Sequence, residues 1–426
     1  MNILILVTVF ILSLFISNKS LSNRVFKLFL SIWLIVIFIS ILNIGKLYEM
    51  SFRVFFMFFI FMFFYFLGFY AVKEKKYETI SWDHFFRVFN FKGNSYLFHV
   101  TSIIFLVVIS YYGYRFFNLY NNLDAISDFR MLRYEIGGLF VNGYSLALYN
   151  YVVGALIWFY KFLLAYSIVF GVGKNKVIFL YSLTICLIYY FIGGGRNIVV
   201  EILFFYILLT VVSNFVINVN KKTSVIKNTI FLFLIALFFT LGTYIRSSNE
   251  KITINLLVDT FIKSLEQIVA YITGSFRALE YALVNYDQIK YGFGIYTFSA
   301  FEEIFVNALL PLGFSYEPKN YIIGRLLSNP IPIGDGQSFN ALYTGLFPFY
   351  YDFDFIGIIV FSFILGFLSK ISINNFLIRK NLSSLFVFLI FSQISIFMFM
   401  SFKLNTGLMI ALIFSWIISL NIKVKV

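Results

Sequence analysis

The chain predicts an all-α fold: a polytopic membrane helix bundle of about 11 spans carrying one large structured loop outside the membrane. Composition is the first reason. Hydrophobic residues fill 61% of 426 positions and charged residues only 12%, against a usual ~25%. A soluble domain of this size leaves too much of its chain in water to carry that much apolar surface. The second reason is spacing, because apolar runs of nearly spanning length recur along the chain. The third is charge. Lys and Arg total 33 and Asp and Glu 19, a net +14, and the cations fall on alternate connections. In such a chain positive charge is first a topology signal, so nucleic acid is not expected as a partner. A cytosolic enzyme and a secreted domain are excluded.

A spanning helix needs roughly 20 apolar residues. The runs that qualify or nearly qualify are 2–16, 28–44, 54–72, 97–114, 144–172, 177–192, 198–218, 229–245, 355–371, 385–400 and 406–420. The first has no preceding Lys or Arg and no small-residue cleavage site after it. It is expected to be a retained span rather than a signal peptide. Lys19, Arg24, Lys27, Lys73, Lys75, Lys76, Arg87, Lys92, Lys174, Lys176, Lys221, Lys222, Lys227, Lys370, Arg379, Lys380, Lys423 and Lys425 fall on one side. The opposite short connections hold Lys46, Arg53, Arg115, Arg130, Arg133, Arg196 and Lys403. The positive-inside rule puts the richer side in the cytoplasm, with the N-terminus outside and the C-terminus inside. One integral membrane domain, 1–426, is expected.

One connection is far longer than the rest. Residues 246–354 lie between two spans, on the outer side, and contain all five prolines. Connections of that length are uncommon unless functional. This one is rich in Tyr, Phe, Leu and Ile, so it is expected to be ordered. Apolar residues at helical spacing over 252–272 predict an amphipathic helix on the membrane surface. Residues 298–310 read similarly, with Glu302 and Glu303 on the polar side. Between Pro311 and Pro348 the glycines and prolines predict an irregular loop. No cytoplasmic connection exceeds about 25 residues and no P-loop sequence is present, so chemistry belongs in the bundle or on the outer face.

Three constellations could carry that chemistry. Gly193, Gly194, Gly195, Arg196 and Asn197 open a span. Free amides at a helix N-terminus beside a guanidinium suit a phosphate or diphosphate. A tight turn with Arg196 snorkelling to headgroups accounts for the same residues. Arg246, Arg277 and Arg325 form the second set. They stand among apolar neighbours in the large loop, where an arginine needs a partner. That partner is a ligand or a loop carboxylate such as Glu250, Glu280 or Glu303. The third set runs through residues 331–345. Gly334 and Gly336 permit a sharp turn, and Asp335, Gln337, Ser338, Asn340 and Tyr343 gather groups suited to sugar hydroxyls and sugar faces. An Asx-type turn feeding a helix, capped by Ser338 or Asn340, is the bland alternative.

Other polar residues offer less. Lys161 and Glu201 lie within spans, where they could serve function, snorkel or pair. His84 and His99 fall on the cytoplasmic side, so a Ser-His-Asp machine on the outer face is excluded. Two histidines and the single Cys186 make no metal cage, and no cofactor is expected.

Residues 194–197 before a span, Arg325 followed by ten residues and Gly336, and the return through Phe339, Asn340, Ala341, Tyr343, Phe349, Asp352, Gly357 and Gly366 form an ordered series. In this order the chain resembles the Wzy-type polymerases of O-antigen and capsule, the oligosaccharide repeat unit polymerases. The resemblance covers most of the chain in layout. Its return usually reads Asp-Phe-Gly, and Asp354 stands here in place of that Gly. The resemblance implies a GT-C-like helical fold without a metal. It implies transfer of a growing glycan from undecaprenyl diphosphate to a new lipid-linked unit, at the outer face of the bacterial cytoplasmic membrane. Arg196, Arg246, Arg277 and Arg325 would hold the diphosphate and stabilise its developing charge. Asp335 or Glu303 would take the acceptor proton, and Asn340 and Tyr343 would orient sugar. Lipid-linked oligosaccharide, membrane lipid and a chain-length regulator are the partners implied. An O-antigen ligase is the nearest rival, but its loop carries a His-x9-Gly element and residues 246–354 contain no His. A flippase would have more spans and short connections on both faces.

Overall fold

Apolar runs become helices throughout the computed structural model, which describes residues 20–43, 47–75, 95–120, 139–140, 145, 148–171, 176–193, 197–216, 254–309, 330–339, 343–379, 381–401 and 411–412. The helices are α1 (Leu21–Ile41), α2 (Phe52–Ala71), α3 (Ser95–Tyr120), α4 (Gly154–Phe170), α5 (Lys176–Gly193), α6 (Asn197–Val216), α7 (Ile254–Asn285), α8 (Ser299–Leu309), α9 (Leu346–Arg379) and α10 (Leu382–Phe397). Strands β1 (Ile331–Gly334) and β2 (Gln337–Phe339) form a small antiparallel pair. Among the described residues, five helices are long and apolar enough to cross a membrane: Leu21–Ile41, Phe52–Ala71, Phe98–Leu119, Ile198–Phe215 and Leu346–Arg379. Gly154–Phe170, Lys176–Ile192 and Leu382–Phe397 are apolar but shorter. By these helices the protein is an all-α membrane protein. The expected spans at 2–16 and 229–245, and most of that at 406–420, lie outside the described residues.

Several helices start earlier than hydropathy alone places them. Ser20 begins α1, its hydroxyl accepting from the Asn23 amide at 3.2 Å, so the helix takes in Arg24 and Lys27 before the apolar run. Helix α9 starts at Leu346, and Pro348 fits its first turn because no backbone donor is needed there. A break in helical geometry falls at Phe353 and Asp354, the latter with φ 55° and ψ −147°. That backbone favours glycine, and this is the position at which the resembled return carries Gly. The Asp354 carboxylate accepts from the Phe355 amide at 2.8 Å, which restarts the helix.

The chain divides into two compact units. The first comprises Met1–Glu78, Glu266–Lys380 and Val387–Met409. Its core is aromatic. Phe26, Phe29 and Trp33 of α1 meet Phe69, Tyr65 and Phe58 of α2 in antiparallel order, with ring centroids 5.0, 4.5 and 5.4 Å apart. Helices α2 and α9 run parallel: Arg53 meets Tyr350 at one end, and Lys73 and Lys75 meet Asn374 at the other. Lys370 joins that second end through Glu74. Lys73, Lys75 and Lys370 thus share one side and Arg53 the opposite one, the grouping that charge alternation predicts.

Two glycines set the spacing of that parallel pair. A Cβ on Gly68 would lie 2.0 Å from the Phe363 carbonyl oxygen, and one on Gly366 would lie 2.2 Å from that of Tyr65. Small residues that let backbones touch are the usual means of packing apolar helices, because lipid gives no hydrophobic drive between them.

The second unit comprises Thr79–Leu265, Asn381–Phe386 and Ile410–Val426. A π-helical turn, Leu148–Val153, leads into α4. Tyr160 donates to Ser102 of α3 at 2.9 Å. Phe162 packs against Phe205 of α6 and against Phe386. Lys161 and Glu201 form a buried ion pair at 2.5 Å, with side chains 4% and 8% exposed. Of the readings open for them in the sequence, the structure has the pair.

Candidate functional site

The segment between α6 and the apolar part of α9 contains α7, α8 and the strand pair. Helix α7 continues past the expected end at Ile272, and its part from Thr273 to Leu283 is mostly buried in the first unit. That half, beyond the stretch expected to lie on the membrane surface, is core. Gly274 makes room there: a Cβ on it would lie 2.6 Å from the Phe339 ring.

Arg277, on the buried half of α7, is only 4% exposed. Its Nε donates to the Tyr48 carbonyl at 2.7 Å and Nη1 to that of Thr273 at 3.1 Å. Nη2 donates to the Ser40 carbonyl at 3.2 Å and to Asn43 Oδ1 at 2.9 Å. Ser40 lies in the last turn of α1, whose carbonyls lack helical partners, so a cation there complements the helix dipole. Asn43 has φ 48°, the left-handed conformation that commonly ends a helix. Burial lowers the guanidinium to about 10, and nearby Glu280 opposes that shift. Arg277 therefore stays charged at neutral pH. Its hydrogen-bond partners are neutral oxygens, not the carboxylate the sequence suggested. Glu280 accepts instead from the Ser51 amide, at 2.9 and 3.0 Å.

Tyr48 links this hub to the strand pair. Its amide donates to the Ile333 carbonyl at 2.9 Å, and Leu47 bridges to Gly334. In register, Ile331 faces Phe339 and Pro332 faces Ser338, with a bulge before Gly334. Asp335 and Gly336 form the exposed tip, Gly336 with φ 69°. The expected irregular loop is thus a hairpin here. No helix starts at Ser338, and α9 begins at Leu346. The Asp335 carboxylate is carried by main-chain bonds that lead back through Tyr48 to Arg277.

Tyr343 is buried, its ring 5.0 Å from Phe347 and 6.4 Å from Tyr286. Burial first, and the neighbouring phenol of Tyr286 next, push its hydroxyl pKa well up. Among the sequence candidates, Arg277, Asp335, Gly336 and Tyr343 belong to this unit. Arg196, Arg246, Arg325 and Asn340 lie outside the described residues, as does the Glu303 side chain of α8.

The sequence reading gave no site role to four functional-looking groups. Arg53 and Lys290 converge on Tyr350, and Asp352, fully buried, accepts from the Tyr296 and Thr297 amides at 3.2 and 2.7 Å. Only Asp352, an acid beside an apolar run, carried a local signal. Comparison with family models, curated proteins and solved structures finds no match.

Proposed function

We propose that this chain is a membrane glycosyltransferase that polymerises undecaprenyl-diphosphate-linked oligosaccharide repeat units, for O-antigen or capsule. One observation carries the reading: a long segment between apolar helices folds into a helix and hairpin held by a buried arginine, and presents an exposed carboxylate, Asp335, at the tip. A lipid-linked glycan needs such an ordered polar surface at a membrane edge. The order of the Gly-Gly-Arg-Asn, Arg-x10-Gly and return elements supports it further. In this reading the bundle has about 11 spans in a GT-C-like arrangement. It sits in the bacterial cytoplasmic membrane, with residues 246–354 and the N-terminus outside and the C-terminus inside. Arg325, Arg196 and Arg246 hold the diphosphate, and Asp335 or Glu303 takes the acceptor proton. Asn340 and Tyr343 orient sugar, and Gly336 shapes the turn. Arg277 is a positioning residue, because its donors are engaged with carbonyl and amide oxygens. A chain-length regulator is the expected protein partner.

Deleting the gene in its host and resolving the surface polysaccharide on a gel tests this. The ladder should collapse to a band of core plus one unit. Wild-type complementation should restore it, while Arg325→Ala and Asp335→Asn at normal expression should not. Loss of the one-unit band as well would favour a ligase or flippase, and an unchanged ladder would refute the assignment.

A further inference from the structure

The stretch that follows α7 has an unusual backbone. Tyr291 and Phe293 both have positive φ, 62° and 50°. For bulky aromatic residues this is a genuine outlier and costs stability. The stretch is held from inside. The Gly292 amide donates to the Tyr351 carbonyl at 3.0 Å, and Asp352 binds the Tyr296 and Thr297 amides. Strain kept in place this firmly has one visible product. The Tyr291 and Phe293 side chains stand out from the surface, 57% and 76% exposed.

Beside these rings two cations meet on one phenol. Arg53 Nη2 donates to the Tyr350 hydroxyl at 2.5 Å, and its guanidinium carbon lies 5.6 Å from the ring centroid. Lys290 Nζ lies 5.5 Å from the same centroid. Arg53 is in the first turn of α2, an apolar helix of spanning length, so the cluster lies at the end of a span. Two nearby acids are engaged. Asp287 pairs with Lys290 at 2.5 Å across an exposed turn, a kind of pair worth little by itself. Glu280 sits on the Ser51 amide and near Arg277. Arg53 has no ion pair among the described residues. Arg53 stands at the end of a helix of spanning length, the level at which phospholipid phosphates lie.

We propose that Arg53 and Lys290, oriented by Tyr350, hold the headgroup phosphate of a membrane phospholipid, with Tyr291 and Phe293 lying against its apolar part. The site is separate from the glycan-transfer reading, and its test does not depend on that activity.

The full chain, purified in a neutral detergent, would be titrated with phosphatidylglycerol while its melting temperature is followed. Diacylglycerol with the same chains, inorganic phosphate and undecaprenyl diphosphate would be the comparison ligands. Phosphatidylglycerol should stabilise saturably. Arg53→Gln and Lys290→Gln should each raise the half-saturating concentration roughly tenfold, the loss of one charge-assisted hydrogen bond. Phe293→Ala should weaken binding, and Asp287→Asn should tighten it by freeing Lys290, a gain that misfolding cannot imitate. Equal stabilisation by diacylglycerol or by inorganic phosphate would overturn the proposal. So would Arg53→Gln and Lys290→Gln variants that bind like wild type, or tighter binding of undecaprenyl diphosphate through these same residues.

Discussion

Arg277 joins chain segments that no local interaction would bring together. Its donors reach the end of α1, the connection at Tyr48 and its own helix. Removing the side chain strands the buried carbonyl of Ser40 and the part-buried one of Tyr48. Each such group left without a donor costs about 1–3 kcal/mol. Arg277→Ala is therefore expected to lower stability by roughly 3 kcal/mol or more, read as thermal unfolding in detergent. Arg277→Lys should fall between, because an ammonium lacks the planar fork. An Arg277→Ala protein melting with wild type would show that the hub is dispensable. This residue also marks where sequence reading stops. The setting pointed to a needed partner, and the partners are main-chain oxygens, which every residue carries and no sequence distinguishes. Tyr48 and Asn43 offered no sign of their role.

Helices α2 and α9 touch backbone to backbone at Gly68 and Gly366, so an added methyl must push them apart. Gly366→Ala is expected to destabilise by about 1–3 kcal/mol, whereas alanine at the exposed Phe363 position should change little. Equal melting temperatures for Gly366→Ala and wild type would disprove the close contact. Elements of this kind are the legible part of the molecule. A helix buried in lipid and protein is apolar all round, and Val54 to Val72 reads as such without help. Its exact ends do not, since Ser20 and Pro348 set starts by capping and backbone rules that hydropathy ignores. The hairpin was illegible for another reason. Strands of four and three residues show no alternation, and Pro332, Gly334 and Gly336 all signal loop. What makes it a hairpin is Tyr48, hundreds of residues away in the chain.

At the scale of the whole molecule, alkaline pH tests the packing outside the spans. Burial, and then the neighbouring Asp352, raise the Tyr296 phenol to about 12. The hydrogen bond to Asp287 raises Lys290. In both cases the folded state holds its proton more tightly than the unfolded chain. Their stabilisation is complete below the unfolded values near 10 and is lost as pH rises through the folded ones. Arg277 acts with the opposite sign, because its folded value is the lower one. Tyr343, also raised by burial, acts with the first two, giving stability that is flat to about pH 10 and falls toward 12. Tyr296→Phe loses the bond to the Ile289 carbonyl, about 1 kcal/mol at neutral pH. Its curve should be flatter than wild type above pH 10, and a curve parallel to wild type would remove Tyr296 from the account.

The buried pair of Lys161 and Glu201 also constrains biosynthesis. The two residues are 40 positions apart, so α4 leaves the ribosome seconds before α6 at ~5–20 residues per second. A lone charge at the middle of a helix adds roughly 2.5–3.5 kcal/mol to its insertion, and only the partner removes that penalty. If α4 and α5 span the membrane as in the proposed bundle, α4 is expected to wait at the insertion machinery until α6 arrives, and α4, α5 and α6 to enter lipid together. Chains stalled after α5 should still crosslink to the translocon, and chains stalled well beyond α6 should not. Release of α4 alone would break the link between this ion pair and the order in which the helices settle.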